Sequence, residues 1–295
     1  MENEKFSIAW WNTGLAPMAK SRADDTQRIL ACAMINWMIL ELQKDFIALG
    51  EVSDADIEFM RGNCAFSGYQ LVNAVVDIGR SSFDTCFIYN ESKIGIIDTS
   101  QITVTKGGRT LKVAQKIDLV FGETRSIFTI FVSHWPSRLW CEENHPDRSL
   151  LGMRLYQSAN PVPDSSDAAP HIILLGDYND EPFSSSLSEH LMASRDRHLV
   201  AKRKHLFYNP FWKSLAATTD EPYYCGSYFH KAGELTQWRT FDQIMFSHAF
   251  IAGKQWRLLE SAEQILATPL FLQQVINAKN IFDHLPVTSE IEKVN

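Results

Sequence analysis

Apolar residues gather in short, nearly unbroken runs along this chain. FSIAWWN (6–12), DFIALGEV (45–52), YQLVNAVVDI (69–78), TCFIYN (85–90), TLKVAQKIDLVF (110–121), SIFTIFVSHW (126–135), HIILLGD (171–177) and TFDQIMFS (240–247) each predict a strand. Helical spacing is sparser and predicts helices over 24–43, 53–61, 148–159 and 184–194. In the first, Ile29, Leu30, Ala33, Met34, Trp37 and Met38 recur at helical spacing and predict the core-facing side. NESKIG and TKGGRT read as hairpin connections. Strands outnumber helices, and strands apolar on both faces need cover on both. Two sheets packed together, with helices outside, satisfy that pattern.

The 295 residues, 45% of them hydrophobic, suffice for a sizeable core. The Pro/Ser/Asp-rich stretch SANPVPDSSDAAP (158–170) reads as a surface loop. Without repeats or a linker, residues 1–295 are expected to form one domain. The most apolar window, ILACAMINWMIL (29–40), is too short to span a bilayer and holds Asn36, so no membrane segment is expected. The opening MENEKFSIAWW lacks the basic region and apolar run of a signal peptide. The five cysteines are scattered, with no CxxC pair. That fits neither a disulfide framework nor a zinc site, and agrees with a reduced, cytoplasmic setting. A net charge of −7 argues against gripping nucleic acid by bulk electrostatics alone. It leaves open an enzyme whose clustered carboxylates face divalent cations.

Polar groups recur where strands end. Asn12 closes FSIAWW, Glu51 closes DFIALG, His134 closes SIFTIFVS, and Asp177 and Asn179 follow HIILLG. Asp242 lies in TFDQIMFS, and Asp283 and His284 sit between apolar flanks in NIFDHLPV. Each has an ordinary reading alone. Glu51 suits a helix N-terminus, Asn12 a turn, and DYND an Asx turn. Their joint occurrence, in this order, fits a ligand site on the rim of a rigid sheet.

WNTGL, LGEV, SHWPSR, GDYNDEP, TFDQIMFS and FDHLPV resemble the ordered motifs of the endonuclease/exonuclease/phosphatase superfamily, which includes deoxyribonuclease I and exonuclease III. The resemblance runs from about Phe6 to Val287. It implies a four-layer α/β sandwich with two mostly antiparallel sheets. It also implies phosphoester hydrolysis with Mg²⁺ or Mn²⁺, hard cations that prefer oxygen ligands.

By this resemblance Glu51, Asn12 and Asp283 form the metal side. Asp177 orients or deprotonates the attacking water, and Asn179 donates to a phosphate oxygen, with Gly176 allowing a tight backbone turn. Asp180 holds the loop. His284 contacts the scissile phosphate and is held by Asp242. His134, which resembles deoxyribonuclease I and several phosphatase branches, is a second phosphate-side histidine, with Asp84 as its orienting acid. Ser137 and Arg138 are further candidates for phosphate contact. Basic and aromatic residues interleave over 202–231, as KRKH, LFYNPFW, YY and SYFHK. They suit either a nucleic-acid track or a core-packing loop with solvated lysines. Trp238 and Arg239 are candidates for the site lining. The leading expectation is a metal-dependent nuclease acting on DNA as an endonuclease. The alternative is a phosphatase or phosphodiesterase acting on a small molecule or lipid headgroup. A non-enzymatic binding protein on a decayed scaffold is disfavoured, because the whole residue set is present.

Overall fold

The computed structural model describes residues 3–294 except 80, 161–168, 220, 222 and 263. Two large sheets face each other. The first runs in the order Trp256–Leu258, Val287–Lys293, Lys5–Asn12, Phe46–Gly50, Thr85–Asn90, Tyr69–Asn73, with Gln264–Ile265 also paired to Val287–Lys293. The second runs Ala193–Ser194, Phe207–Tyr208, Asp242–Ser247, Ile172–Asp177, Ser126–His134, Arg109–Phe121, Ile94–Lys106. Pairing is mostly antiparallel. Parallel exceptions join Lys5–Asn12 to Phe46–Gly50, Ser126–His134 to Ile172–Asp177, and Ala193–Ser194 to Phe207–Tyr208.

Strand alternation divides the core in two. Ile173 and Leu175 join Ile130, Val132, Ile244, Phe246, Ile8 and Trp10 in the large cluster between the sheets. Ile172 and Leu174 face the other way, onto Leu151 and Leu155 of the helix Pro146–Ala159. A strand buried on both faces has no position for a polar residue, which is why IILL is unbroken. The helices Asp25–Leu40 and Asp54–Asn63 add to the large cluster and start at capping boxes, Asp24 with Gln27 and Ser53 with Asp56.

Several expectations need correction. In Asp25–Leu40 the buried positions are Ala31, Cys32, Met34, Ile35, Met38 and Ile39, whereas Ile29 and Ala33 point outward. The apolar residues of that helix occupy more than one face, so spacing alone did not single out the buried one. NESKIG is not a hairpin: it carries the chain from Thr85–Asn90 in one sheet to Ile94–Lys106 in the other. TKGGRT is a hairpin, with Gly107 and Gly108 both at positive φ between Lys106 and its partner Arg109. The predicted strand 69–78 breaks into Tyr69–Asn73 and Val76–Ile78. The predicted helix 184–194 shrinks to one wide turn, Ser186–His190, and a short strand, Ala193–Ser194. Most of the expected loop 158–170 lies outside the described residues. Strands Ile94–Lys106 and Val287–Lys293 and helix Pro269–Ile276 were not foreseen. All five cysteines are free, and no helix among the described residues is long and apolar enough to cross a membrane.

Candidate active site

Sheet register assembles the polar residues. Asp177 pairs with His134 on one side and Asp242 on the other, so three adjacent strands present these side chains at the same level. They occupy the rim end of the inward-facing series: Asp177 and His134 follow Ile173–Leu175 and Ile130–Val132, and Asp242 precedes Ile244–Phe246. In the first sheet, Asn12 and Thr85 both pair with Gly50, which brings Asn12, Glu51 and Asp84 together. The site therefore caps the inter-sheet core at one end.

Glu51 and Asn179 both adopt left-handed backbone, φ 53° and φ 50°. Such conformations cost a non-glycine residue roughly 1–2 kcal/mol and concentrate at functional sites. The ordinary reading of Glu51 as a helix acid fails on position: the following helix is capped by Ser53, and its first-turn acids are Asp54 and Asp56.

Asn12 links the two sheets. Its Nδ2 donates to Glu51 Oε1 at 3.2 Å and to Asp177 Oδ2 at 3.0 Å, while its Oδ1 accepts from Gly14 N at 3.1 Å. Asn12 thus bridges the two carboxylates through its amide nitrogen, while Oδ1, the atom a cation would use, accepts one hydrogen bond and keeps a second lone pair.

Each histidine is held by its own acid. His134 Nδ1 lies 2.9 Å from Asp84 Oδ1, leaving Nε2 at 3.7 Å from Glu51. His284 Nδ1 lies 2.7 Å from Asp242 Oδ2, leaving Nε2 at 3.7 Å from Asp177 and 4.0 Å from Asp283. Asp242 also accepts from Trp10 Nε1 at 2.7 Å, and the His284 carbonyl accepts from Trp11 Nε1 at 3.1 Å. Burial would lower the His284 pKa, but Asp242 and Asp177 outweigh it and push it up to about 10. His134 is raised in the same way: burial opposes, and Asp84 prevails. Asp84 is buried yet held below the carboxylate range by His134 and Lys112. Lys112 Nζ donates to Asp84 Oδ1 at 2.5 Å and was missed in the sequence. Burial raises Asp177, with His284 pulling it back.

The donor chemistry fits a hard cation. Glu51 and Asp283 offer carboxylate oxygens; burial and the charge of Asp283 both raise the Glu51 pKa, a repulsion that a divalent ion between them would relieve. Asp177, Asp242 and His284 also bring ligand atoms within 4.8 Å of one another. Asp242 and His284 already engage each other at 2.7 Å, so the Glu51–Asp283 side suits Mg²⁺ or Mn²⁺ better.

The loops that follow the strands are tightly held. Asn179 N donates to Asp177 Oδ1 at 2.8 Å, and its Nδ2 uses one hydrogen on the Trp135 carbonyl, leaving the other for a ligand. Asp180 holds the loop as expected, through Ser186 and Arg148. Arg148, 1% exposed, donates to the carbonyls of Pro136, Cys141, Glu142 and Tyr178. Arg138 is committed to the Asn179 carbonyl at 3.0 Å and Glu143 at 2.9 Å, and lies over the Phe241 ring. It is a clamp between loops, not the phosphate contact expected. Ser137 starts the turn of that loop through its carbonyl. Gly176 does not make a turn. It lies within a strand, where a Cβ would meet the Ser133 carbonyl oxygen at 1.9 Å.

The run 202–231 divides. Lys202, Arg203, Lys204 and His205 precede Phe207, the partner of Ser247, so they sit at the sheet end opposite Asp242. Leu206, Phe207 and Phe211 are buried packing. Among the described residues of the run, Ser227–Lys231 reaches the site, where Tyr228 packs on His284. Trp238 and Arg239 pair with Phe229 and Tyr228, and Trp238 joins the core. Lys112 and Arg148 carried no motif signal, because their importance comes from contacts distant in sequence, and Tyr228 was marked only as part of the run SYFHK.

Two stacked sheets with acid–histidine pairs on one rim are the arrangement of a superfamily whose members are phosphoester hydrolases. The chain belongs to the endonuclease/exonuclease/phosphatase family, whose model matches residues 45–281. Solved structures share the fold. The catalytic domain of human Nocturnin with bound sulfate is 18% identical, TM-score 0.61, covering 98% of this chain and 95% of that one. TDP2 of D. rerio with a single-strand DNA product is 15% identical, TM-score 0.60, covering 98% and 99%. The mannosyl-6-phosphatase of Bacteroides thetaiotaomicron is 14% identical, TM-score 0.60, covering 97% and 99%. No curated protein matches the chain in sequence.

Proposed function

We propose that this protein is a Mg²⁺- or Mn²⁺-dependent phosphodiester hydrolase that cuts DNA internally. The observation that carries the chemistry is the convergence of His134 and His284, each with Nε2 turned toward the carboxylates of Glu51 and Asp177. Hydrolysis of a phosphodiester needs an oriented water and positive charge at the phosphoryl oxygens. His284, protonated near neutral pH, donates to one oxygen, and Asn179 donates its remaining amide hydrogen to another. Asp177, whose pKa burial raises, accepts the proton of the attacking water. A divalent cation held by Glu51 and Asp283 would supply further charge to those oxygens.

Two cations favour a polyanion. Arg22 donates to the Ile281 carbonyl, and Lys231 to those of Asn280 and Phe282, so both ride on the segment leading into Asp283. A small phosphoester is the second reading. It is favoured by the exposed Glu142 and Glu143 on the loop after His134, and by a basic run at the far end of the sheet.

Supercoiled plasmid with Mg²⁺ or Mn²⁺ tests both readings. Nicking that stops with EDTA and with His284→Ala supports the nuclease. An intact plasmid, beside metal-dependent release from a small phosphodiester, selects the second reading. No hydrolysis of either refutes both.

A further inference from the structure

We infer that Tyr228 is a catalytic residue whose hydroxyl donates a hydrogen bond to the phosphoryl group beside His284; this rests on the phosphoesterase reading of the site. The segment Ser227–Phe229 is tied to the catalytic loop at several points. Tyr228 bridges His284 through the backbone. Phe229 N donates to the Asp283 carbonyl at 2.7 Å, and Leu285 N to the Ser227 carbonyl at 2.7 Å. Ser227 Oγ accepts from Asp242 N at 3.0 Å. The same short segment thus holds the acid, the histidine and the histidine's own partner. Its position relative to them has little freedom.

The side chain is equally constrained. The Tyr228 ring stacks on Phe241, centroids 5.1 Å apart, and lies 4.6 Å from the His284 ring. Held between two rings, the phenol has one direction in which to extend. At its end, the hydroxyl is 3.4 Å from His230 Nδ1. With Nδ1 protonated, His230 donates to the phenol oxygen and leaves the phenol hydrogen for a ligand. Burial and the charges of Asp283, Asp177 and Glu51 all raise the phenol pKa. The His284 ring against which Tyr228 packs carries Nε2 at 3.7 Å from Asp177 and 4.0 Å from Asp283, so the phenol stands beside the reacting centre. A neutral donor suits the negative charge that builds on the phosphoryl oxygens of a diester in the transition state: it adds hydrogen bonding without a further charge to desolvate.

Tyr228→Phe removes the hydroxyl and retains both ring contacts. With bis(p-nitrophenyl) phosphate and Mg²⁺, kcat is expected to fall about 10- to 100-fold, with KM nearly unchanged, as for a donor aimed at developing charge. Orthovanadate, a mimic of the five-coordinate phosphorus, should bind the variant more weakly by a similar factor. Inorganic phosphate should bind it almost as well as the wild type. His230→Gln should give a smaller loss in kcat, which keeps the test usable should Tyr228→Phe fold poorly. Wild-type activity and vanadate affinity in either variant overturn the role of Tyr228, as does a loss confined to KM. A wild-type protein that neither hydrolyses the diester nor binds vanadate overturns the reading of the site itself.

Discussion

His284 Nδ1 lies 2.7 Å from Asp242 Oδ2, although 42 residues separate them. Asp242 is fully buried, and its other oxygen is taken by Trp10. Asp242→Asn keeps the shape but removes the charge that holds His284 protonated. Activity at pH 7.5 is expected to fall by about 100-fold or more, within the range of a lost acid–base group. Steady-state kinetics with a small phosphodiester checks this, with near-UV circular dichroism to establish that the fold persists.

Arg148 donates to four loop carbonyls and approaches Asp180 at 3.5 Å, all in a buried setting. Arg148→Met removes the donor from several buried loop carbonyls and takes one cation from the buried Asp180, which keeps Ser186 and Arg138. A stability loss of about 3–5 kcal/mol is expected, as for breaking a buried pair from one side. Urea unfolding followed by tryptophan fluorescence measures it. A midpoint equal to the wild type would remove Arg148 from the loop scaffold.

Gly176 sits where the neighbouring strand approaches too closely for any side chain. Gly176→Ala must push apart Ser126–His134 and Ile172–Asp177, the strands that set His134 beside Asp177. Overpacking costs of about 1–3 kcal/mol are usual, and this position belongs at the upper end or beyond. Melting temperature and kcat should fall together. Wild-type values in both would mean that the register tolerates the methyl group.

Acid stability has an identifiable contributor away from the site. His171 packs its ring edgewise against Phe128 and Phe250, and burial pushes its pKa from 6.5 down to about 4. Between those values the unfolded chain binds the extra proton, so stability rises with pH there. The contribution is complete above about pH 6.5 and is lost as pH falls toward 4, on the order of 3 kcal/mol in all. Melting curves of the wild type and His171→Phe, from pH 7.5 to 4, should diverge in that window. Parallel curves would exclude His171 as the source.

The strands carrying the site were legible because their inward positions are apolar until the last, where Asn12, His134 and Asp177 interrupt the series. Glu51, Asp283 and His284 were readable by the same contrast between apolar flanks and polar ends. Arg138 was misjudged. A guanidinium beside a site histidine looks available for phosphate until the Asn179 carbonyl and Glu143 are seen to hold it. Gly176 was assigned to a turn because it precedes a loop motif, whereas the reason for a glycine lies in the strand alongside.

Unbroken apolar runs along the chain by themselves determined the strands that carry the site and where each ends in a polar group, since burial on both faces leaves no polar position until the strand reaches the rim. Tertiary structure alone decided that Asp84 would share His134 with Lys112, that Tyr228 would stack on His284, and that a buried Arg148 would bind the loops together. The contacts among Asp84, Lys112 and His134 and between Tyr228 and His284 join residues 22 to 56 positions apart, and they exist only once strand order and register have chosen the neighbours.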